Sequence, residues 1–413
     1  MKLFKSSLIS LALMGACATA NADSLAITNA TVHTAGEQGI LTNATVVIDN
    51  GKITAINPAS VDADQVIDAQ GKILTPGFIG SMNQLGLVEV SAVSRSRDAG
   101  DKKADITFDA SLAFNPKSTA IAYSRKGGIT SNIVVPRGGD SMFKGQIFTV
   151  DLSGNFDSVV VNNQGTFVDL GATSKGSRAT DLQALANKLE DATKKLAKAK
   201  KKSDKKDKAE PKRGEQIIND LLAGKKPLLA YVDRATDILA LVKLKKTYNL
   251  DLVLLGAADA VLVADTLAKE NIAVVIDPMR NLPGSFDSLH TSLTNAATLD
   301  KAGVKIVMQT GGDTHNLYQL RFDAGNAVAN GLSPEAALEA ITAAPAEVFN
   351  LNKGVIAAGK DADLVLWSAD PFELSSKVEK MWIGGEERST RSRQDALRDR
   401  YTTDSDMPRA YTK

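Results

Sequence analysis

The 413-residue chain carries 49 lysines and arginines against 48 acidic residues, a formal charge of +1, with 43% apolar and 23% charged residues. That balance suits a folded protein with a large core, as one big barrel or as two domains, and gives no overall charge to draw a polyanion. Its one cysteine, Cys17, excludes a disulfide framework and a thiolate metal centre.

The chain opens on a leader pattern. Lys2 and Lys5 precede the apolar stretch Leu8–Ala16, and Ala20-Asn21-Ala22 follows as a small-x-small cleavage signature. This predicts a secretory signal peptide over residues 1–22 and an exported, most simply periplasmic, product. The stretch is too short to span a bilayer, so the mature chain is expected to lack a transmembrane segment. Met14-Gly15-Ala16-Cys17 faintly resembles a lipoprotein acylation site, a weaker alternative to cleavage after Ala22. Removing Lys2 and Lys5 takes the charge from +1 to −1.

Residues 23–73 read as strands. Val46-Val47-Ile48 and Ile53-Thr54-Ala55-Ile56 flank Asp49-Asn50-Gly51-Lys52, whose Asn-Gly step is a strong hairpin signal. Val66-Ile67-Asp68 and Lys72-Ile73-Leu74 flank a turn at Gln70-Gly71. Strands this short need a partner sheet. Residues 351–388 offer one in Val355-Ile356, Ala362–Trp367 and Met381–Gly385, with a turn at Gly359-Lys360-Asp361. A small β-sandwich built from both chain ends is the expectation.

Between them, residues 74–350 alternate apolar, β-branched runs with helix-period segments. The runs are Ile129–Val135, Pro227–Val232, Leu252–Leu255, Ala273–Ile276 and Val304–Met308; the helical segments include Ala235–Lys246, Ala258–Glu270 and Ser292–Ala302. Repeated units of this size predict a parallel sheet, open or closed. Ser333-Pro334 opens a well-capped helix. Lys194–Arg213 holds eleven basic residues and follows the amphipathic Asp181–Leu196. It reads as a solvated helix running into a loop, with docking to an anionic surface as the sharper alternative. No aromatic residue interleaves it, so no nucleic-acid partner is expected. The charged tail, residues 389–413, is left open.

These landmarks resemble the metal-dependent amidohydrolase superfamily, specifically its imidazolonepropionase-like branch. The resemblance rests on Gly71–Ile79 (GKILTPGFI), Gly128-Ile129-Thr130, Val135-Pro136, Gly145-Gln146 and Gly359–Trp367 (GKDADLVLW). It implies an α/β fold, a distorted (β/α)8 TIM-like barrel with a β-sandwich flank, and a working site at the C-terminal strand ends. It also implies hydrolysis of non-peptide C–N bonds by a divalent metal, zinc or another, held by histidines and carboxylates.

The positions where the resemblance puts those ligands carry other residues. Met82-Asn83-Gln84 stands at the His-x-His of the first strand, with Gly80 at a neighbouring aspartate. Tyr231 and Asp233 stand on the fifth strand, Gly256 on the sixth and Gly311 on the eighth. Met82, Gln84, Tyr231, Asp233, Gly256 and Gly311 are therefore expected to line a pocket with no metal and no cofactor. The chain has three histidines. His33 and His290 read as structural or surface residues. His315, with Asp313 and Asp233, is the weak candidate set for a remodelled hydrolytic site, and Arg137 in the Gly138-Gly139 loop is a candidate contact for an anionic ligand. The expected function is an impaired amidohydrolase-like protein of the cell envelope that binds a small molecule or a histidine-complete amidohydrolase relative. An active C–N hydrolase using Asp313, His315 and Asp233 is the alternative, and oligomerisation is compatible with either.

Overall fold

The computed structural model describes residues 24–171, 176–201 and 210–402. The expected leader, Cys17, residues 202–209 of the lysine-rich run and the last residues of the tail lie outside them.

One sheet is built from both chain ends. It takes strands β1 (Leu25–His33), β2 (Ile40–Asp49), β3 (Lys52–Ile56), β4 (Gln65–Asp68) and β5 (Ile73–Pro76) from the N-terminal side. The Asn-Gly step does what its chemistry predicts: Asn50 and Gly51 take φ of 50° and 74°, as a type I′ turn requires, and β2 pairs β3 antiparallel. The turn at Gln70-Gly71 is no hairpin, because β4 and β5 both run parallel to β1 at successive positions along it.

The other chain end adds β14 (Leu364–Trp367), β15 (Val378–Ile383) and β16 (Glu386–Glu387) beside β5. Hydrogen bonding is continuous across all eight strands, and Ile27, Val46, Leu74, Leu364 and Trp382 form a core of their own. The expected strand at Val355-Ile356 is a correction: this is irregular chain. Gly354 turns at φ 85°, and Ile356 N–H donates to Thr34 O at 2.9 Å without starting a ladder.

The second sheet is the barrel, in the order β13-β12-β11-β10-β9-β8-β7-β6. Its strands are β6 (Phe78–Asn83), β7 (Ile129–Val134), β8 (Phe143–Asp151), β9 (Val159–Asp169), β10 (Leu228–Val232), β11 (Leu252–Gly256), β12 (Ala273–Ile276) and β13 (Ile306–Met308). Every neighbouring pair is parallel except those made by β8, which runs antiparallel to both β7 and β9. Sequence patterning found neither β8 nor β9, since Lys144-Gly145-Gln146 interrupts the apolar periodicity of the first and Asn162-Asn163-Gln164 that of the second. Where the first and last strands face each other, Ser81 Oγ donates to Met308 O at 2.9 Å. The fold is thus the expected distorted barrel, nearly closed, with a separate sheet.

Ile79, Ile133, Ile147, Leu229, Val253, Val275 and Val307 fill the barrel interior, joined by Phe349 and Leu351 from the segment before β14. The interior is a packed core, so any site must lie at the strand ends. Outside, the helix Ala235–Tyr248 buries Ile238, Leu241 and Val242. The helix Pro334–Ile341 is capped as expected, Ser333 Oγ accepting from Ala336 N–H at 3.1 Å. Part of the tail forms the helix Arg393–Thr402, which lies on the chain's own helix Thr119–Arg125 through Lys126 Nζ and Asp395 at 2.8 Å. Among the described residues no helix is long and apolar enough to cross a membrane.

Candidate functional site at the barrel mouth

β6 ends in an unusual step. Met82 takes φ 59°, in the left-handed region, which turns its side chain into the barrel interior at 8% exposure. Beside it Asn83 and Asn132 exchange side-chain amide bonds at 2.8 and 3.0 Å, and Asn83 Oδ1 also accepts from Leu85 N–H. Gln84 holds the following turn through its carbonyl oxygen. At Gly80, an added Cβ would come within 2.5 Å of Asn132 Oδ1 and 2.7 Å of Leu317 Cδ1. Asn132 and Leu317 had no signal in the sequence: one is a polar residue inside an apolar strand, the other an ordinary leucine in the short turn Thr314–Gln319.

β10 delivers Tyr231 and, just beyond it, Asp233. The phenol donates to Asp233 Oδ2 at 2.9 Å, and its ring lies between two glycines. Cβ atoms built on Gly171 and Gly256 would stand 2.7 and 2.8 Å from ring carbons, so both neighbours must be glycine for the ring to lie there. Burial pushes the Tyr231 hydroxyl up to about 12, with the Asp233 charge and hydrogen bond adding to it. Asp233 is buried and also accepts from Ala258 N–H at 3.3 Å and Arg280 Nη1 at 3.5 Å.

Asp277 follows β12. Its Oδ1 accepts from Met279 N–H at 3.0 Å, while Oδ2 lies 2.3 Å from where a Cβ on Gly311 would stand. Burial raises its pKa, against the Met279 N–H and the Arg280 charge. A cavity of about 210 Å³ opens here, lined among others by Tyr231, Gly256, Asp277, Arg280, Asn295 and Gln309.

Behind it Asp323, on the helix Leu320–Ala329, is 7% exposed. Burial pushes its carboxyl up to about 6; the Thr310 hydroxyl beside it opposes the rise and the Asp277 charge adds to it. That hydroxyl does not reach full hydrogen-bond geometry, since Thr310 Oγ1 and Asp323 Oδ2 both lack a partner among the described residues. A carboxyl held above its ordinary value of 3.8 binds its proton more tightly in the folded state, so stability falls as pH rises from there to about 6 and levels off above. Asp323→Asn removes that penalty. It is expected to stabilise the fold at about pH 8 by on the order of 2 kcal/mol and to gain little near pH 4. Urea titrations at the two pH values check this; equal shifts at both would contradict it.

The remaining sequence candidates fall elsewhere. Asp313 and His315 are exposed, and Asp313 Oδ2 accepts from Ser91 Oγ at 3.3 Å on the loop after β6. Among the described residues no group of three or more His, Cys, Asp or Glu side chains converges, so Asp233, Asp313 and His315 are not brought together. Arg137 is exposed, its N–H bonded to Ala99 O at 2.6 Å and its side chain outside the cavity lining. His33 is half-buried in β1. His290 lies in a turn with Nδ1 2.7 Å from Asp259 Oδ1.

A barrel of parallel strands with one reversed, a flanking sheet from both chain ends and a mouth at the C-terminal strand ends make a distorted TIM-like barrel. An amidohydrolase family model matches residues 215–388, so that segment of the chain is similar to the amidohydrolase family. The crystal structure of an amidohydrolase from Thermotoga maritima MSB8 is 26% identical with a TM-score of 0.79, covering 88% of this chain and 99% of that one. A prolidase crystallised with N-methylphosphonate-L-proline shares the fold at 15% identity and a TM-score of 0.55, covering 88% and 99%. Amidohydrolase tasK of Hapsidospora irregularis is 22% identical over 391 residues, 82% of this chain. The chain spans 39% of that curated relative's length.

Proposed function

We propose that this chain is an amidohydrolase-fold protein, of the imidazolonepropionase-like branch, that does not perform metal-assisted hydrolysis and binds a small molecule at the barrel mouth. In the family a divalent metal would activate water and polarise the scissile carbonyl. The residues here do not fit such an ion. Met82 offers a thioether turned into apolar packing, Gly256 and Gly311 offer no side chain, and Tyr231 holds its proton up to about 12. Zinc-type centres take imidazole, thiolate or carboxylate.

The observation that carries the reading is the packing of the Tyr231 ring between Gly171 and Gly256. A histidine at 256 would place its Cβ against that ring, so the two strand ends are rebuilt around each other and differ by more than one exchanged side chain. The cavity beside them supports a binding role. The alternative, hydrolysis by Asp313, His315 and Asp233, has no geometric support, since the first two face solvent. The leader pattern of residues 1–22 supports export to the cell envelope as part of the same reading.

The test is activity of the purified chain on a panel of cyclic amides, amidines and dipeptides, with zinc, manganese or iron added. No turnover above buffer is expected. Turnover that a chelator abolishes and added metal restores would sink the proposal.

A further inference from the structure

Gly311 stands where the family resemblance expects a carboxylate on the last barrel strand, and its missing side chain leaves room. That room is taken from the neighbouring strand end: Asp277 Oδ2 lies 2.3 Å from the position a Cβ on Gly311 would occupy. We propose that Asp277 is the anchoring carboxylate of the mouth cavity, supplied by β12 in place of β13, and that the cavity takes a small organic cation such as an ammonium or amidinium group. The inference rests on reading the mouth as a binding site.

The chemistry around Asp277 selects that ligand class. Among the described residues its carboxylate accepts one hydrogen bond, from Met279 N–H, leaving Oδ2 without a donor. The only cation lining the cavity among the described residues is Arg280, and its Nη1 points to Asp233 Oδ1 at 3.5 Å. Asp233 already answers that charge, while also accepting a hydrogen bond from the Tyr231 hydroxyl. Among the described residues Asp277 therefore has no ion-pair partner of its own, and its half-buried charge attracts a cation more strongly than it would in water. The burial that raises the Asp277 pKa acts in the same sense, because a bound cation would relieve the desolvated charge. Asn295 and Gln309 line the same space and can hydrogen-bond a second polar group. At about 210 Å³ the cavity has the volume of roughly seven waters, which suits a ligand of several heavy atoms.

Two substitutions separate charge from shape. Asp277→Asn removes the charge and keeps the size. Gly311→Ala leaves Asp277 intact but puts a methyl where its Oδ2 lies. Gly311 has no positive φ, so alanine strains no backbone there. The probes are acetamidinium and propylammonium, with the neutral near-isosteres acetamide and propanol, titrated into the full chain by NMR chemical-shift perturbation beside thermal melts of each variant. Binding of acetamidinium at least tenfold tighter than acetamide, lost in both variants, is the expected result. Should Asp277→Asn fail to fold, Gly311→Ala decides alone. Equal binding of charged and neutral probes, unchanged by either variant, would overturn the role of Asp277 while leaving a binding site at the mouth. Failure of all four probes to bind overturns the inference. If that chain also takes up one equivalent of zinc, the proposed function falls with it.

Discussion

Lys353→Met is expected to lower the stability of the fold by about 3–5 kcal/mol, read as a lower urea midpoint at unchanged slope. Lys353 is 8% exposed, between the last barrel helices and β14. Its Nζ donates to Asp363 Oδ2 at 2.7 Å and to Ser131 Oγ at 3.0 Å. Burial alone would push the Lys353 pKa down; the Asp363 charge and hydrogen bond overcome it, and the ammonium stays protonated. Ser131 sits on β7 of the barrel and Asp363 immediately before β14, so the cluster ties the two sheets together. Methionine fills the stem's volume but leaves Asp363 buried with the Ser131 hydroxyl and the Gly384 N–H as its remaining partners. Removing one member of a buried pair is the costly step, and pairing the change with Asp363→Leu should recover part of the loss. A cost below about 1 kcal/mol would mean that water reaches Asp363 and that the pair behaves as a surface bridge.

Trp367→Ala should cost a similar amount, about 3–5 kcal/mol, because it empties the other joint between the sheets. Trp367 is fully buried at the end of β14 and stacks on Phe78, the first residue of the barrel, with ring centroids 5.2 Å apart. Its indole N–H donates to Thr75 Oγ1 at 2.9 Å. Gly128 is built to admit it: φ is 80°, and a Cβ there would come within 2.5 Å of the indole. Trp367→Phe keeps most of the stacking and loses the hydrogen bond, so its cost should fall to about 1–2 kcal/mol. Chemical denaturation of both variants checks the order. If the phenylalanine variant lost as much as alanine, the indole N–H would carry far more than packing does.

Both joints explain how much of the molecule could be read from sequence. The Asn50-Gly51 turn, the apolar runs that became β10 to β12, and the Ser333 cap are local signals whose physics does not need the rest of the chain. The strands β8 and β9 were invisible because their pairing, made by reversal, tolerates polar interruptions that break local periodicity. The mouth was half legible. Met82, Tyr231, Gly256 and Gly311 could be singled out by position, yet what they do there depends on distant partners. The Tyr231 ring fits because Gly171 and Gly256, remote in sequence, both lack side chains. Asp277, Asp323 and Lys353 look like ordinary surface charges until the fold buries them, and nothing in the sequence marks the void at Gly311 that Asp277 fills. Asp313 and His315 made the opposite case, suggestive in sequence and solvent-facing in the fold.

The central question is whether the strand ends at the barrel mouth can hold an ion. The most direct measurement is the metal content of the full chain, purified from medium supplemented with zinc, iron and manganese and then dialysed without chelator. Far less than one equivalent per chain is the predicted result, with a melting temperature that chelation does not change. One tightly held equivalent, whose removal lowers the melting temperature and whose return restores it, would contradict the account.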